Sequence, residues 1–228
     1  MSILIDEKTI VLVQGITGKE GSKATRDMIA YGTRVVAGVT PKKGGTITEE
    51  GIPVYNTVQE ALVAHPDINI SFIAVPGAHV PSAAEEAIVA CIPLINILSE
   101  RVPITDVARI IALAKAAGVH LVGPSSVGII SPGKAKIGSV GSGGLAAKIF
   151  TSGSVGVVSK SGGMTSEISR ILSDAGYGQS TALGIGGDPL IGFDFVDAVR
   201  LFESDPETKA TVIFGEVGGT YENMLAEV

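Results

Sequence analysis

Two stretches of this chain set hydrogen-bond donors where an anion would sit. One is residues 153–167, GSVGVVSKSGGMTSE. Val155, Val157 and Val158 form a β-branched apolar run, which predicts a buried strand. The run empties into Ser159-Lys160-Ser161-Gly162-Gly163, and a helical pattern begins at Met164. The free N–H groups of a first helical turn and the positive end of the helix dipole point at whatever occupies such a loop. Lys160 and two hydroxyls add donors, so the chemistry on offer is capture of a phosphate or carboxylate. A strand-to-helix connection with a serine cap accounts for the same residues.

The other stretch is residues 14–21, QGITGKEG. It follows a short strand-like run, 9–14, and opens a helix, the setting in which a glycine loop takes a pyrophosphate. Its spacing is G-x-x-G-x-x-G, not the G-x-G-x-x-G of dinucleotide sites. The next strand ends Val39-Thr40-Pro41-Lys42-Lys43. An NAD site needs an acid there for the ribose hydroxyls. Two lysines instead suit a ligand with an additional phosphate. Coenzyme A, with its 3′-phosphate, and NADP both fit, and a solvated basic loop is the structural alternative. Leu98-Ser99-Glu100 closes another strand at the same carboxyl edge, although Ser-Glu ahead of Pro103 and Asp106 also reads as a helix cap.

The elements that must hold these loops alternate along the chain. Strand-like runs fall at 9–14, 34–40, 68–75, 93–98 and 120–122. Helical patterns fall at 22–31, 58–64, 82–90 and 106–117. Alternation of this kind predicts a parallel sheet with helices on both faces. It pauses at Gly123-Pro124, and the Gly- and Pro-rich segment 124–151 marks a boundary. Domains of 1–123 and 124–228 follow. The second resumes with strands at 155–159, 180–185 and 210–214, helices at 164–175 and 193–202, and a final helix at 221–228. So few β-α repeats make a thin sheet, so the second domain reads as incomplete.

Composition narrows the function further. Hydrophobic residues are 45% of 228, enough for a sizeable core. Net charge is −6 and aromatics are 4%, with no basic stripe or aromatic platform, which argues against nucleic-acid binding. The lone Cys91 lies in an apolar stretch and reads as a buried, inert thiol. No metal site is read in the chain. The acidic start is not a signal peptide, and no long uncharged apolar run predicts a membrane span. A cytoplasmic-type protein is expected.

Taken together, the motifs resemble the α subunit of succinyl-CoA synthetase and its relatives, including the matching module of ATP-citrate lyase and the citryl-CoA and malate–CoA ligases. The likeness runs through MSILIDEKT, QGITGKEG, IAYGT, GVTPKKGG, GIPVYNTVQEA, the Gly123-Pro124 junction, ISPGKAKIG, GVVSKSGG, GIGGDP and GEVGG. It implies a Rossmann-like CoA-binding domain followed by a flavodoxin-like parallel-sheet domain. The implied reaction joins an acid to CoA at the expense of ATP or GTP, through an acyl phosphate. A histidine of the α subunit carries the phosphoryl group. A β-type partner, in a heterodimer or heterotetramer, binds the nucleotide with Mg2+.

By the same resemblance, Thr17, Gly18, Lys19 and Glu20 form the CoA-binding turn. Lys43 contacts a CoA phosphate, and Leu98, Ser99 and Glu100 are a further CoA segment. Ser161, Gly162 and Gly163 open the phosphate-binding helix. Glu216 matches the carboxylate that orients the active histidine, and a carboxylate on one imidazole nitrogen does leave the other free to attack phosphorus.

Three departures qualify the likeness. The family histidine lies in a Gly-His-Ala-Gly motif that these residues do not contain. His65, His79 and His120 match no catalytic motif and read as surface or helix-end residues, so the chain alone is expected to be inactive. Succinate-type members read Gly-Thr-Leu-Thr-Tyr-Glu where this chain has Gly162-Gly163-Met164-Thr165-Ser166-Glu167. Ser166 in place of tyrosine opens room for a bulkier acid, a lean toward the citrate-handling branch. Gly123-Pro124-Ser125-Ser126 in place of Gly-Pro-Asn-Cys/Thr leans the same way. The rival readings are an NADP-dependent oxidoreductase, which leaves the second loop and GEVGG unexplained, and a non-catalytic CoA-binding module.

Overall fold

A computed structural model describes residues 2–227. Met1 and Val228, the last position of the helix expected over 221–228, lie outside the described residues. The first sheet contains β1 (Ile10–Gln14), β2 (Arg34–Val39), β3 (Val54–Tyr55), β4 (Ile70–Ile73), β5 (Leu94–Ile97) and β6 (His120–Val122). Its order is β3-β2-β1-β4-β5-β6, and every pairing is parallel. Helices α1 (Lys19–Tyr31), α2 (Val58–Ala64), α3 (Val80–Val89) and α4 (Ile104–Ala117) make the crossovers. All residues of β1, β4 and β5 are buried, as expected of parallel strands covered on both faces. Because β2 and β4 lie on opposite sides of β1, the strand order reverses there. That reversal opens a crevice at the carboxyl ends of β1 and β4.

The second sheet is mixed, where the sequence predicted parallel strands alone. Strands β7 (Gly128–Ser131) and β8 (Ala135–Gly138) form an antiparallel hairpin in the segment read as a boundary. After the short α5 (Ala146–Ile149) come β9 (Ser152–Ser159), α6 (Gly162–Asp174), β10 (Gln179–Gly184), α7 (Phe195–Ser204), β11 (Ala210–Phe214) and α8 (Tyr221–Leu225). The order is β11-β9-β10-β7-β8, with β11, β9 and β10 parallel. The hairpin thickens what the sequence made a thin sheet. Again the order reverses at a central strand, here β9, so the ends of β9 and β11 mark a second switch point.

One core joins the two sheets. Phe72 and Leu94 of the first belong to the same buried cluster as Ile129, Ile137, Phe193 and Phe195. Polar groups lock the seam. The Thr33 hydroxyl donates to Lys136 O at 2.8 Å and accepts the Lys136 N–H at 2.9 Å. Asn96 donates to Ser126 Oγ at 2.7 Å, and Ser126 donates to Gly184 O at 2.6 Å. The Lys136 side chain is fully buried at this seam. Burial pushes its ammonium below the usual lysine range, and the nearby Asp27 charge pulls it back up.

Cys91 departs from expectation, because its thiol is exposed. It follows α3 in a left-handed turn (φ 55°), which carries the side chain off the apolar face that its neighbours bury.

Candidate functional site

Close packing at the first crevice explains why glycine is needed there. Gly15 leaves β1 at φ +83°, and a Cβ there would meet Ala74 O at 2.6 Å. Gly21, in the first turn of α1, approaches so near that its Cβ would lie 2.2 Å from Gly15 O. Together they draw the start of α1 down onto the ends of β1 and β4. That helix begins at Lys19, three positions before the sequence pattern placed it. Its N-cap is Gly18, which has no side chain to satisfy the first turn. The N–H groups of Lys19 and Glu20 therefore stand outside the helical ladder and face the crevice.

Two clefts flank this turn and share a wall of Gly18, Ala74, Val75 and Pro76. The larger, about 730 Å³, takes in Thr17, Thr40, Pro41 and His79. The smaller, about 550 Å³, is bordered by Lys19, Glu20, Leu98, Ser99 and Glu100. Lys43 stands at the rim, its Nζ donating to Thr17 Oγ1 at 3.2 Å. Thr17 Oγ1 also lies 3.2 Å from Thr40 Oγ1. Ser99 Oγ donates to Val75 O, which ties the end of β5 to the shared wall. Seven of the eight residues named for the first site thus line these two adjoining clefts, and Lys43 joins them through its bond to Thr17.

The wall itself was missed by the sequence. Val75, Pro76 and His79 follow β4, and only the strand order sets β4 beside β1. His79, read as a surface or helix-end residue, is the N-cap residue of α3 and lines the larger cleft.

The second loop is built differently. Helix α6 begins at Gly162, two positions before Met164. Ser161 is its N-cap, and its side chain accepts the Met164 N–H at 3.4 Å. The serine-cap reading of this stretch therefore holds. Ser159 Oγ accepts the Ser161 N–H at 3.0 Å and donates to Ser161 O at 2.8 Å. The N–H groups of Gly162 and Gly163 remain outside the ladder. The two glycines differ in what surrounds them. A Cβ on Gly162 would strike Val127 Cγ1 at 2.2 Å, whereas one on Gly163 would find only Ser161 Oγ at 3.9 Å. Ser166, a turn further on, is half-buried.

Lys160 sits beside this loop with only 4% of its side chain exposed. Its Nζ is 3.5 Å from Glu216 Oε2 and donates to Asp188 O at 3.3 Å. The ammonium also stands 5.1 Å above the Tyr221 ring. Asp188 in turn accepts a hydrogen bond from Ser125 Oγ. The Glu216 side chain is itself 59% exposed. His65 and His120 lie elsewhere. His65 caps α2 and meets Tyr55 Oη at 3.0 Å, and His120 opens β6 edge-on to Phe193.

Comparison with known proteins bears on both loops. A family model described as a CoA binding domain matches residues 6–101, and one described as CoA-ligase matches 158–228. The chain is 48% identical over 227 residues to a succinate–CoA ligase [ADP-forming] subunit alpha 2 of Archaeoglobus fulgidus, covering all of this chain and 77% of the relative. It is 47% identical to the corresponding alpha subunit of Methanothermobacter thermautotrophicus, over 98% of this chain and 74% of the relative. Among solved structures, an ATP citrate lyase from Methanothrix soehngenii, in complex with citrate and coenzyme A, superposes with a TM-score of 0.89. It has 26% identity over 99% of this chain, which spans 39% of the lyase chain. Fold and matches together define a CoA-binding module of the acid–thiol ligases. More closely, the chain belongs to the family of ADP-forming succinate–CoA ligase alpha subunits.

Proposed function

We propose that this chain is the CoA-binding α-type subunit of a nucleotide-dependent acid–CoA ligase. CoA lies in the trough beside α1, and its thiol reaches toward the loop that opens α6. The carrying observation is that Thr17–Glu20 and Leu98–Glu100, distant in sequence, line two clefts that share one wall, with Lys43 bonded to Thr17 beside them. The residues suit the ligand. The uncapped turn offers N–H donors to a pyrophosphate, and Lys43 offers a cation to the additional phosphate.

In this reading the acid arrives at the second loop as an acyl phosphate. The CoA thiolate attacks its carbonyl carbon, the C–O bond to phosphate breaks, and thioester and inorganic phosphate leave. The N–H groups of Gly162 and Gly163 hold the phosphoryl oxygens, where preorganised donors stabilise developing charge. Glu216 fixes the tautomer of a phosphoryl-carrying histidine, which is not among these 228 residues. A β-type partner supplies ATP or GTP with Mg2+, in a heterodimer or heterotetramer. A cytoplasmic setting, where CoA and nucleoside triphosphates meet, belongs to the same proposal. So does a division into domains at 123/124, supported by the assignment of β1–β6 and β7–β11 to separate sheets.

For the acid, identity to the succinate–CoA ligases favours succinate. The free space at Gly163 and the small Ser166 favour a larger relative such as citrate or malate. Isothermal titration with CoA is the first test. Binding of CoA, with weaker binding of dephospho-CoA, supports the proposal; tight NADP binding with none of CoA overturns it. Ligase assays of the full gene product with its partner, on succinate, malate and citrate, then identify the acid. Binding without turnover on any acid would instead mark a non-catalytic CoA-binding module.

A further inference from the structure

We propose that Lys160 is a positioning residue for the second site, holding Glu216 and the loop around it at the mouth of α6. The inference rests on the ligase reading for its chemical meaning, but its geometry stands without it. Lys160 follows the last residue of β9, at the point where the second sheet reverses its strand order. Three segments that are remote in sequence converge on its side chain. The loop after β10 presents Asp188 O at 3.3 Å. The loop after β11 presents Glu216 Oε2 at 3.5 Å. Helix α8 lays the Tyr221 ring beneath the ammonium at 5.1 Å.

Each of those contacts is itself braced. Tyr221 Oη donates to Pro189 O and accepts the Ile191 N–H, both at 3.3 Å, so the ring is fixed to the loop that carries Asp188. The Asp188 carboxylate is bonded to Ser125 Oγ. The Glu216 N–H donates to Glu222 Oε1 at 2.9 Å, which fastens the backbone of that loop to α8. The Lys160 N–H donates to Phe214 O at 3.0 Å, so backbone and side chain together grip the segment leading into Glu216.

A lysine is seldom buried this fully unless its ammonium is matched by acceptors. Here it has a carboxylate, a carbonyl and a ring face, and the arrangement spends the cation inside the protein. Glu216 is thereby paired through Oε2 while its side chain stays largely exposed. A carboxylate meant to orient an imidazole needs that restraint, because a free glutamate side chain samples many rotamers and a bound one does not. Lys160 acts through Glu216 and not on the substrate itself.

The test uses Lys160→Met and Lys160→Arg. In the chain by itself, amide hydrogen exchange across residues 215–219 should rise at least about tenfold in Lys160→Met and return toward wild type in Lys160→Arg. Exchange in β9 and β10 serves as the internal check that the sheet is intact. In the complex of the full gene product with its partner, kcat should fall at least about tenfold in Lys160→Met while the KM for CoA stays unchanged, and Lys160→Arg should recover most of it. Unchanged exchange at 215–219, or a KM for CoA that moves together with kcat, or no rescue by arginine, overturns the proposal. A wild-type complex without ligase activity defeats the ligase reading instead, and the exchange measurement still decides whether Lys160 holds Glu216.

Discussion

The two anion-type loops share one plan, a buried strand emptying into a glycine-bearing turn at the start of a helix, yet the fold finishes them in opposite ways. At α1 the N-cap is a glycine with no side chain to offer, and the turn borders two clefts. At α6 the N-cap is Ser161, which satisfies one N–H itself, and the neighbouring cation is already engaged by Glu216, Asp188 O and Tyr221. The first loop is left open for a ligand as large as a nucleotide. The second spends part of its own polarity on holding still, and leaves the Gly162 and Gly163 donors beside the exposed Glu216 carboxylate. A shared local motif therefore says that an anion can be held. The surroundings decide how large it is and how much of the site is supplied by the protein.

The sharpest way to break this comparison is at Gly15. A valine there must adopt φ +83° and collide with Ala74 O. Gly15→Val should lower stability by at least about 2 kcal/mol in urea titration and abolish measurable CoA binding. An intact, CoA-binding variant would show that the close approach of α1 to β4 is not needed.

Next comes the contrast between neighbouring glycines of the second loop. Gly162→Ala should destabilise by about 1–3 kcal/mol, because its methyl meets Val127. Gly163→Ala has space and should be neutral or stabilise by up to about 1 kcal/mol. Equal effects on the two melting curves would refute the packing difference.

Lys43→Ala sharpens the first loop. It should weaken CoA about tenfold, roughly 1.4 kcal/mol, and leave dephospho-CoA unchanged in calorimetry. An equal loss for both ligands would move Lys43 away from the 3′-phosphate. The smallest effect belongs to the cap. Ser161→Ala should cost about 0.5–1 kcal/mol of stability, the low end for a cap because its bond is 3.4 Å long, with CoA affinity unchanged.

How much of this was legible beforehand varied with how local each feature is. The β-α alternation, the glycine turn and the lysines after β2 follow from nearest neighbours in sequence, and they reappear as β1–α1–β2 with Lys43 at its rim. The sequence pattern places the starts of α1 and α6 late, because Lys19, Glu20, Gly162 and Gly163 carry no apolar periodicity. The hairpin of β7 and β8 has the sequence of a boundary segment. Strands of four residues around Pro132-Gly133 look like loop until a partner strand pairs with them, and β10 is that partner for β7.

What the sequence determined by itself was therefore local chemistry: which turns could bind an anion, which cations stood near them, and which family carries those motifs in that order. Strand order was decided only in three dimensions, since no local pattern encodes which strands become neighbours. Setting β4 beside β1 built the wall of the larger cleft, the one proposed for CoA, from Val75, Pro76 and His79. Setting β11 beside β9 brought Glu216 to Lys160. The burial of that lysine has the same cause: its partners come from two loops and helix α8, and none of them is near it until the second sheet has closed.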